Sequence, residues 1–291
     1  MNEPVRLAKR LAEMLACSRR EAEQYIEGGW VSVDGVVVEE PQFRVHRQAI
    51  ALSPDASLLA LTPVTLLLHK PAGCVSIHAP CRANLGEATP LPSEFYPPER
   101  GSFNLDKAAK VQGSEAAEAA HTRRGASVQT AAQLLVAANR SPADRSGIRP
   151  LKKHFASAEL ITPLATPASG LVVFTTDWRV TRKLREDARL LEHEVVVEVS
   201  GDIKPGGLER LNRIDHGFTH RGALLPPAKV SWQSEARLRF ALKGEVPGQI
   251  AYMCDSVGLK ITAMKRLRVG RMSLSQLAPG QWRYLMPYER F

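Results

Sequence analysis

The chain has 291 residues, and its 39 Lys and Arg against 30 Asp and Glu give a net charge of +9 at pH 7. This length predicts roughly one to three domains with enough chain for a hydrophobic core. The positive charge favours a polyanionic partner, most simply nucleic acid, because cations that neutralise phosphates release condensed counterions. The four cysteines are scattered, the N-terminus does not resemble a signal peptide, and no apolar run approaches the ~18 residues of a membrane span. We therefore expect a cytoplasmic protein with reduced thiols and no membrane segment.

The first fifty residues carry the signals of a small module. Residues 5–15 place apolar side chains at helical spacing, with charged residues on the other faces. Ser18 and Glu21 form a capping box, which predicts a second helix that stops at Gly28-Gly29. Valine-rich runs on both sides of Asp34-Gly35 predict a β-hairpin. This order of elements resembles the S4-type RNA-binding module of ribosomal proteins and many RNA-modifying enzymes.

In S4-type modules, the first turn of the second helix and adjoining basic residues meet backbone phosphate, so the resemblance implies such a surface here. The N–H groups at a helix N-terminus and guanidinium groups both suit phosphate. Acidic neighbours such as Glu13 and Glu23 leave open the alternative of a solvated charged face. The candidate phosphate ligands are Arg6, Lys9, Arg10, Arg19 and Arg20.

The middle of the chain is less regular. Residues 53–65 are predicted to be a linker, and residues 66–70 a strand stopped by Pro71. The stretch 104–153 is rich in Ala, Ser, Gln and Arg, and it is predicted to be an insertion. It is either flexible or carries helices of its own, such as one over residues 126–138.

Residues 161–177 read ITPLATPASGLVVFTTD, a turn-rich approach to an apolar, β-branched run that is typical of a buried strand. A loop that leads into a core strand is a frequent place for site residues. The stretch resembles the signature of pseudouridine synthases of the RsuA/RluF branch, in which G-R-L-D runs through T-S-G-L into a strand ending T-N-D. Without a gap, Leu164, residues 169–171 and Asp177 agree with that signature, and the nucleophilic aspartate falls on Ala165.

The resemblance continues on both sides of this stretch. Residues 66–73 match the opening of the synthase domain, and residues 279–285 match the family's closing L-x-x-G-x-W-R-x-L. The family's K-E-Y-L-V-x-V aligns with residues 193–199, so its stacking tyrosine falls on Val195, and the arginine that pairs with the aspartate falls on Gly248. Retained residues that the resemblance places near the site or the RNA are Lys70, Gln249, Arg266 and Arg268.

Pseudouridine synthesis detaches uracil from its ribose, turns it and re-forms the link through carbon. It needs a nucleophile, a flat partner for the flipped base, and a cation beside the ionised carboxylate. Ala165, Val195 and Gly248 supply none of these. Loss of the carboxylate together with its cation leaves no buried unpaired charge. We therefore predict an RNA-binding protein that lacks catalysis and needs no cofactor.

Two alternatives stay open. Residues 103–107 contain a second L-D-K, so Asp106 is the candidate nucleophile of an active RNA pseudouridine synthase acting on rRNA or tRNA, although no strand follows it. The third hypothesis is a protein-interaction scaffold whose basic faces bind an acidic partner, which competition by RNA would distinguish. Cys74, His78 and Cys81 form a loose cluster without a second half at metal-ligand spacing, so we expect no metal.

These observations predict an α+β protein. An S4-type domain spans residues 1–52, a linker spans 53–65, and a synthase-type domain with a mixed, mainly antiparallel sheet spans 66–291. We expect a monomer whose partner is RNA, most simply ribosomal RNA.

Overall fold

The computed structural model describes residues 4–58, 62–76, 129–213, 218–220, 223–244 and 248–291. Within these ranges, no helix has the length and apolar character needed to cross a membrane.

The N-terminal module has the predicted order of elements. They are β1 (Val5–Arg6), α1 (Leu7–Leu15), α2 (Arg19–Glu27), β2 (Val31–Val33), β3 (Val36–Val37), β4 (Arg44–Val45) and β5 (Ile50–Leu52). The capping box is present, because the Glu21 N–H donates to Ser18 Oγ at 3.2 Å and the Ser18 N–H donates to the Glu21 carboxylate at 2.7 Å. Asp34 and Gly35 both have positive φ, 52° and 81°, as the tight hairpin turn requires.

In the described part of the chain, one nine-stranded sheet dominates the rest of the molecule. Its strands are β6 (Thr65–Lys70), β7 (Glu159–Leu160), β8 (Ser169–Thr175), β9 (Glu192–Ser200), β12 (Ala228–Ser234), β13 (Arg237–Lys243), β14 (Lys260–Val269), β15 (Met272–Ser273) and β16 (Trp282–Tyr284). Their order is β12-β13-β9-β14-β8-β6-β16, while β15 pairs with β14 and β7 with β8. Of these pairs β14 and β8 run parallel and the others antiparallel, which confirms the predicted mixed, mainly antiparallel α+β fold.

Helices cover parts of this sheet. They are α3 (Lys152–Ser157), α4 (Trp178–Glu186), α5 (Gly207–Asn212) and α6 (Gln249–Ser256), and a short separate hairpin is formed by β10 (Thr219–His220) and β11 (Ala223–Leu224). One core cluster packs α5 and α6 against β9, β12 and β13. Two others contain residues of β6 and β8, and α4 packs into one of them through Leu184. The loop that carries Ala165 lies in the other.

The described residues of the predicted insertion, 129–153, pack into the core. In place of one helix over 126–138, two short 3-10 helices lie at Ala131–Leu134 and Ala137–Asn139. Leu134 and Trp282 are buried in the same cluster, and the Trp282 indole N–H donates to the Val136 carbonyl at 2.8 Å. Tertiary packing on β16 therefore determines the local structure here.

The same region contacts the N-terminal module. The Lys152 N–H donates to the Glu39 carboxylate at 2.6 Å, and its ammonium pairs with Glu40 at 2.5 Å. The Arg149 guanidinium lies 5.9 Å from the centre of the Trp30 ring. These contacts hold the module beside the large sheet.

Candidate functional site

A pocket of about 430 Å³ lies beside the parallel pair β8 and β14. Its walls come from the loop that follows β7, the end of α4 with the loop after it, the start of β9, the start of α6, and β14. The lining is mostly apolar, with Arg189, His193 and Arg266 as its basic side chains.

Two of the three positions compared with family site residues meet in this pocket. Ala165 and Gly248 both line it, although they are far apart in the sequence. Val195 lies elsewhere, because its side chain is buried in the neighbouring core cluster with Phe240. The structure thus brings together the two residues that the resemblance aligns with the family's aspartate and arginine, and it places Val195 outside the lining.

No carboxylate lines the pocket among the described residues. The Thr162 hydroxyl, which also belongs to the lining, accepts a hydrogen bond from the Val173 N–H at 2.9 Å. Ala165 contributes only a methyl group, which cannot act as a nucleophile.

Arg266 holds the loop that carries Ala165. Its side chain is 3% exposed, and its guanidinium donates to the carbonyls of Thr162 at 2.6 Å, Pro163 at 3.3 Å and Leu171 at 2.9 Å. Buried cations require such partners. Arg266 was predicted to contact RNA, but its burial and these bonds give it a positioning role.

Lys70 secures the other end of the same loop. It is fully buried, and its ammonium donates to the carbonyls of Pro71 at 3.0 Å, Cys74 at 2.7 Å and Thr166 at 3.2 Å. Burial lowers the pKa of Lys70 to about 8, a shift that the nearby Cys74 opposes. Like Arg266, this predicted RNA contact is turned inward in the structure.

Gly170 allows β8 and β14 to approach each other closely beside the pocket. It pairs with Arg266 where β8 and β14 run parallel, and its φ is +120°. A Cβ at this position would lie 2.3 Å from the Arg266 carbonyl oxygen and 2.5 Å from its nitrogen. Only glycine permits this close approach of the two strands.

Gly248 has a conformation that also favours glycine. Its φ is +79°, and it directly precedes α6 as the residue at the helix N-cap. An arginine in the same backbone conformation would be strained. The local backbone therefore suits the residue found here.

The N-terminal module and the chain as a whole both have matches among known proteins. Residues 5–50 match the S4 domain family. The chain is 24% identical to the ribosomal small subunit pseudouridine synthase A of Vibrio cholerae serotype O1, over 98% of this chain and 97% of that protein. Along nearly its whole length, the chain is thus similar to an RNA pseudouridine synthase, at low identity.

Other RNA pseudouridine synthases match the chain at similarly low identity. The dual-specificity RNA pseudouridine synthase RluF of Escherichia coli (strain K12) is 23% identical, over 97% of this chain and 75% of that protein. An uncharacterized RNA pseudouridine synthase of Aquifex aeolicus is also 23% identical, over 98% of this chain and 94% of its own length. A crystal structure of a pseudouridylate synthase has 16% identity and a TM-score of 0.49, over 97% of this chain and 96% of that one.

The region that matches the S4 domain presents all five predicted phosphate ligands at the surface. The pairs that join Arg10 to Glu13 and Arg19 to Glu23 are exposed, with N–O distances of 3.9 and 3.3 Å. Exposed pairs of this kind are weak, so phosphate can compete for the arginines. The five exposed side chains are Arg6, Lys9, Arg10, Arg19 and Arg20.

The remaining predicted RNA contacts lie on β14 and α6. Gln249 is fully buried, and its amide donates to the Pro226 carbonyl at 2.7 Å. Arg268 is partly exposed and pairs with Glu194 at 3.1 Å and with Glu192. Gln249 is thus enclosed by protein and bonded to the backbone, whereas Arg268 keeps some access to solvent.

Sequence reasoning missed three residues of the site. Ser76 fixes the loop, because its hydroxyl donates to the Leu164 carbonyl at 2.5 Å and accepts from the Leu164 N–H at 3.0 Å. No motif pointed to Ser76 or to Arg189. His193 had a signal, since it stands in the segment aligned with K-E-Y-L-V-x-V.

Asp106, His78 and Cys81 lie outside the described residues. Within the described part of the chain, no group of three or more His, Cys, Asp and Glu side chains is arranged to hold a metal ion. The Asp106 hypothesis stays a prediction.

Proposed function

We propose that this chain binds RNA through its S4 domain and does not carry out the covalent chemistry of pseudouridine synthesis. The observation that carries the proposal is Ala165 in a pocket lined, among the described residues, by no carboxylate. Loss of the nucleophile removes the covalent step itself, whereas loss of a positioning group only slows it.

The buried cations support this proposal. Lys70 and Arg266 direct six hydrogen bonds at backbone carbonyls of the site loop and its neighbours. A buried cation left without partners would be costly, and here the carbonyls satisfy these groups. The loop is therefore stable without an acidic side chain at residue 165.

The partner is inferred from the S4 domain and from the relatives. The five cations named above are all exposed in the N-terminal module, and exposed positive charge favours phosphate. The Vibrio cholerae relative is named for the small ribosomal subunit, which makes ribosomal RNA the first RNA to test for binding. The cytoplasmic location and the monomeric state stay predictions.

Binding of unmodified ribosomal RNA at several salt concentrations tests the assignment of the RNA-binding surface. Arg19→Ala combined with Arg20→Ala should weaken binding about tenfold and reduce the slope of log K against log salt by about 1 to 2. The matched control is Arg237→Ala with Lys260→Ala, which removes two exposed cations from the large sheet. Equal slopes for the S4 variant and the wild type would contradict the assigned surface.

A further inference from the structure

Helix α4 carries an exposed tryptophan among arginines. Trp178 is the first residue of the helix and is 62% exposed. The guanidinium carbons of Arg179 and Arg182 each lie 5.9 Å from the centre of its ring. An aromatic face beside two guanidinium groups has the composition of a nucleic-acid stacking site.

The helix and the three residues that follow it carry a net positive charge. Residues 178–189 contain five Lys and Arg against Glu186 and Asp187. Arg182 pairs with Glu186 at 3.1 Å, and both side chains are more than 60% exposed. Such a pair contributes little stability, so a phosphate group can replace the carboxylate.

The helix also leads to the pocket of the site. Leu184 and Arg189 belong to the pocket lining, whereas Trp178 stands at the opposite end of α4. Leu184 lies six positions after Trp178, which corresponds to about 9 Å along the helix axis. The exposed ring and part of the pocket lining therefore belong to the same short helix.

We propose that α4 is a stacking platform for an unpaired RNA base, with Trp178 beneath the base and Arg179 and Arg182 on the flanking phosphates. The proposal rests on the RNA-binding function proposed above and names the form of RNA that the synthase-type domain takes. Bases in a duplex are already stacked on their neighbours, so single-stranded RNA is the form that offers a free face.

The two arginine contacts on the Trp178 ring do not prevent a base from stacking there. A cation–π contact at an exposed site is weaker than a stacked base, and a guanidinium displaced from the ring gains a phosphate in return. The aromatic surface that is now exposed to water would be covered in the complex.

The experiment compares two RNA probes, an oligouridylate of about 12 nucleotides and an RNA duplex of the same length. Trp178→Ala should weaken binding of the oligouridylate about 5- to 150-fold with an unchanged salt slope, and Trp178→Phe should recover most of the loss. Binding of the duplex should stay within about twofold. Arg179→Ala with Arg182→Ala should instead lower the slope for the single strand by about 1.4.

Trp232→Ala is the matched control, since Trp232 is 36% exposed on β12 and lies outside α4. Equal oligouridylate binding by Trp178→Ala and Trp232→Ala would overturn the stacking site, as would equal losses on both probes. Displacement of the oligouridylate by polyglutamate at equal charge concentration would also overturn it, in favour of an acidic protein partner.

A structured ribosomal RNA probe separates this proposal from the general one. If wild-type protein binds ribosomal RNA and Arg19→Ala with Arg20→Ala weakens it, the proposed function stands whatever the oligouridylate shows. Loss of oligouridylate binding in Trp178→Ala alone then supports the platform. Failure of the wild type to bind any RNA would overturn both proposals.

Discussion

Replacement of Gly170 by alanine tests whether close strand pairing builds the pocket. The added Cβ would lie 2.3 Å from the Arg266 carbonyl oxygen. This oxygen is a backbone atom, so rotation of a side chain cannot relieve the clash. Strands β8 and β14 would have to separate at the point where Arg266 also binds the site loop.

The cost has two parts. Alanine at a φ of +120° is in a sparsely populated region, which costs on the order of 1–3 kcal/mol. Loss of packing around the separated strands adds to this, and severe core changes cost more than about 4 kcal/mol. We expect Gly170→Ala to lower the free energy of unfolding by more than about 3 kcal/mol.

Urea denaturation followed by tryptophan fluorescence measures the change. Gly280→Ala is the matched control, because Gly280 has a φ of +82° and open space where a Cβ would be added. It should lose about 1–2 kcal/mol from conformational strain alone. The reasoning is refuted if Gly170→Ala and Gly280→Ala lose equal amounts.

Two further predictions concern buried polar groups. Arg266→Met should lower the free energy of unfolding by at least about 2 kcal/mol in urea denaturation, because two buried carbonyls and one partly buried carbonyl lose their donor; a loss below about 0.5 kcal/mol would remove the positioning role. Burial lowers the pKa of His69 and His154 from the ordinary value of 6.5, so the unfolded chain binds more protons, and stability should fall as pH drops through about 6.5. The midpoint of thermal unfolding between pH 8 and pH 5 should show this fall, and His154→Gln should reduce it; a flat profile would contradict the assignment.

Local signals in the sequence predicted the N-terminal module well. The capping box at Ser18 and the turn at Asp34-Gly35 are short-range features, and both occur as expected. The buried strand at 169–175 was readable too, because a β-branched run between turn residues has few other solutions.

Long-range packing was not readable. Residues 129–153 have a composition typical of an exposed appendage, yet Leu134 and Leu151 are buried. Trp282, which is buried in the same cluster as Leu134, is more than a hundred residues away in the sequence. A composition argument detects only local preference, so it missed this packing.

The buried cations show the same limit. The resemblance led to the prediction that Lys70 and Arg266 contact RNA, and charged side chains are seldom fully buried. The carbonyls that satisfy them belong to a loop whose position depends on the complete sheet. In contrast, the resemblance to the synthases placed Ala165 and Gly248 at equivalent site positions, and the structure brings them into one pocket.

Site-by-site detection of pseudouridine in unmodified ribosomal RNA tests the central claim most directly. The purified wild-type protein, an Asp106→Ala variant and, as a positive control, the Vibrio cholerae relative would each be incubated with the same RNA. The account predicts no pseudouridine from the wild type although it binds the RNA. Pseudouridine formed by the wild type would contradict the account, and its loss in Asp106→Ala would identify that residue as the nucleophile.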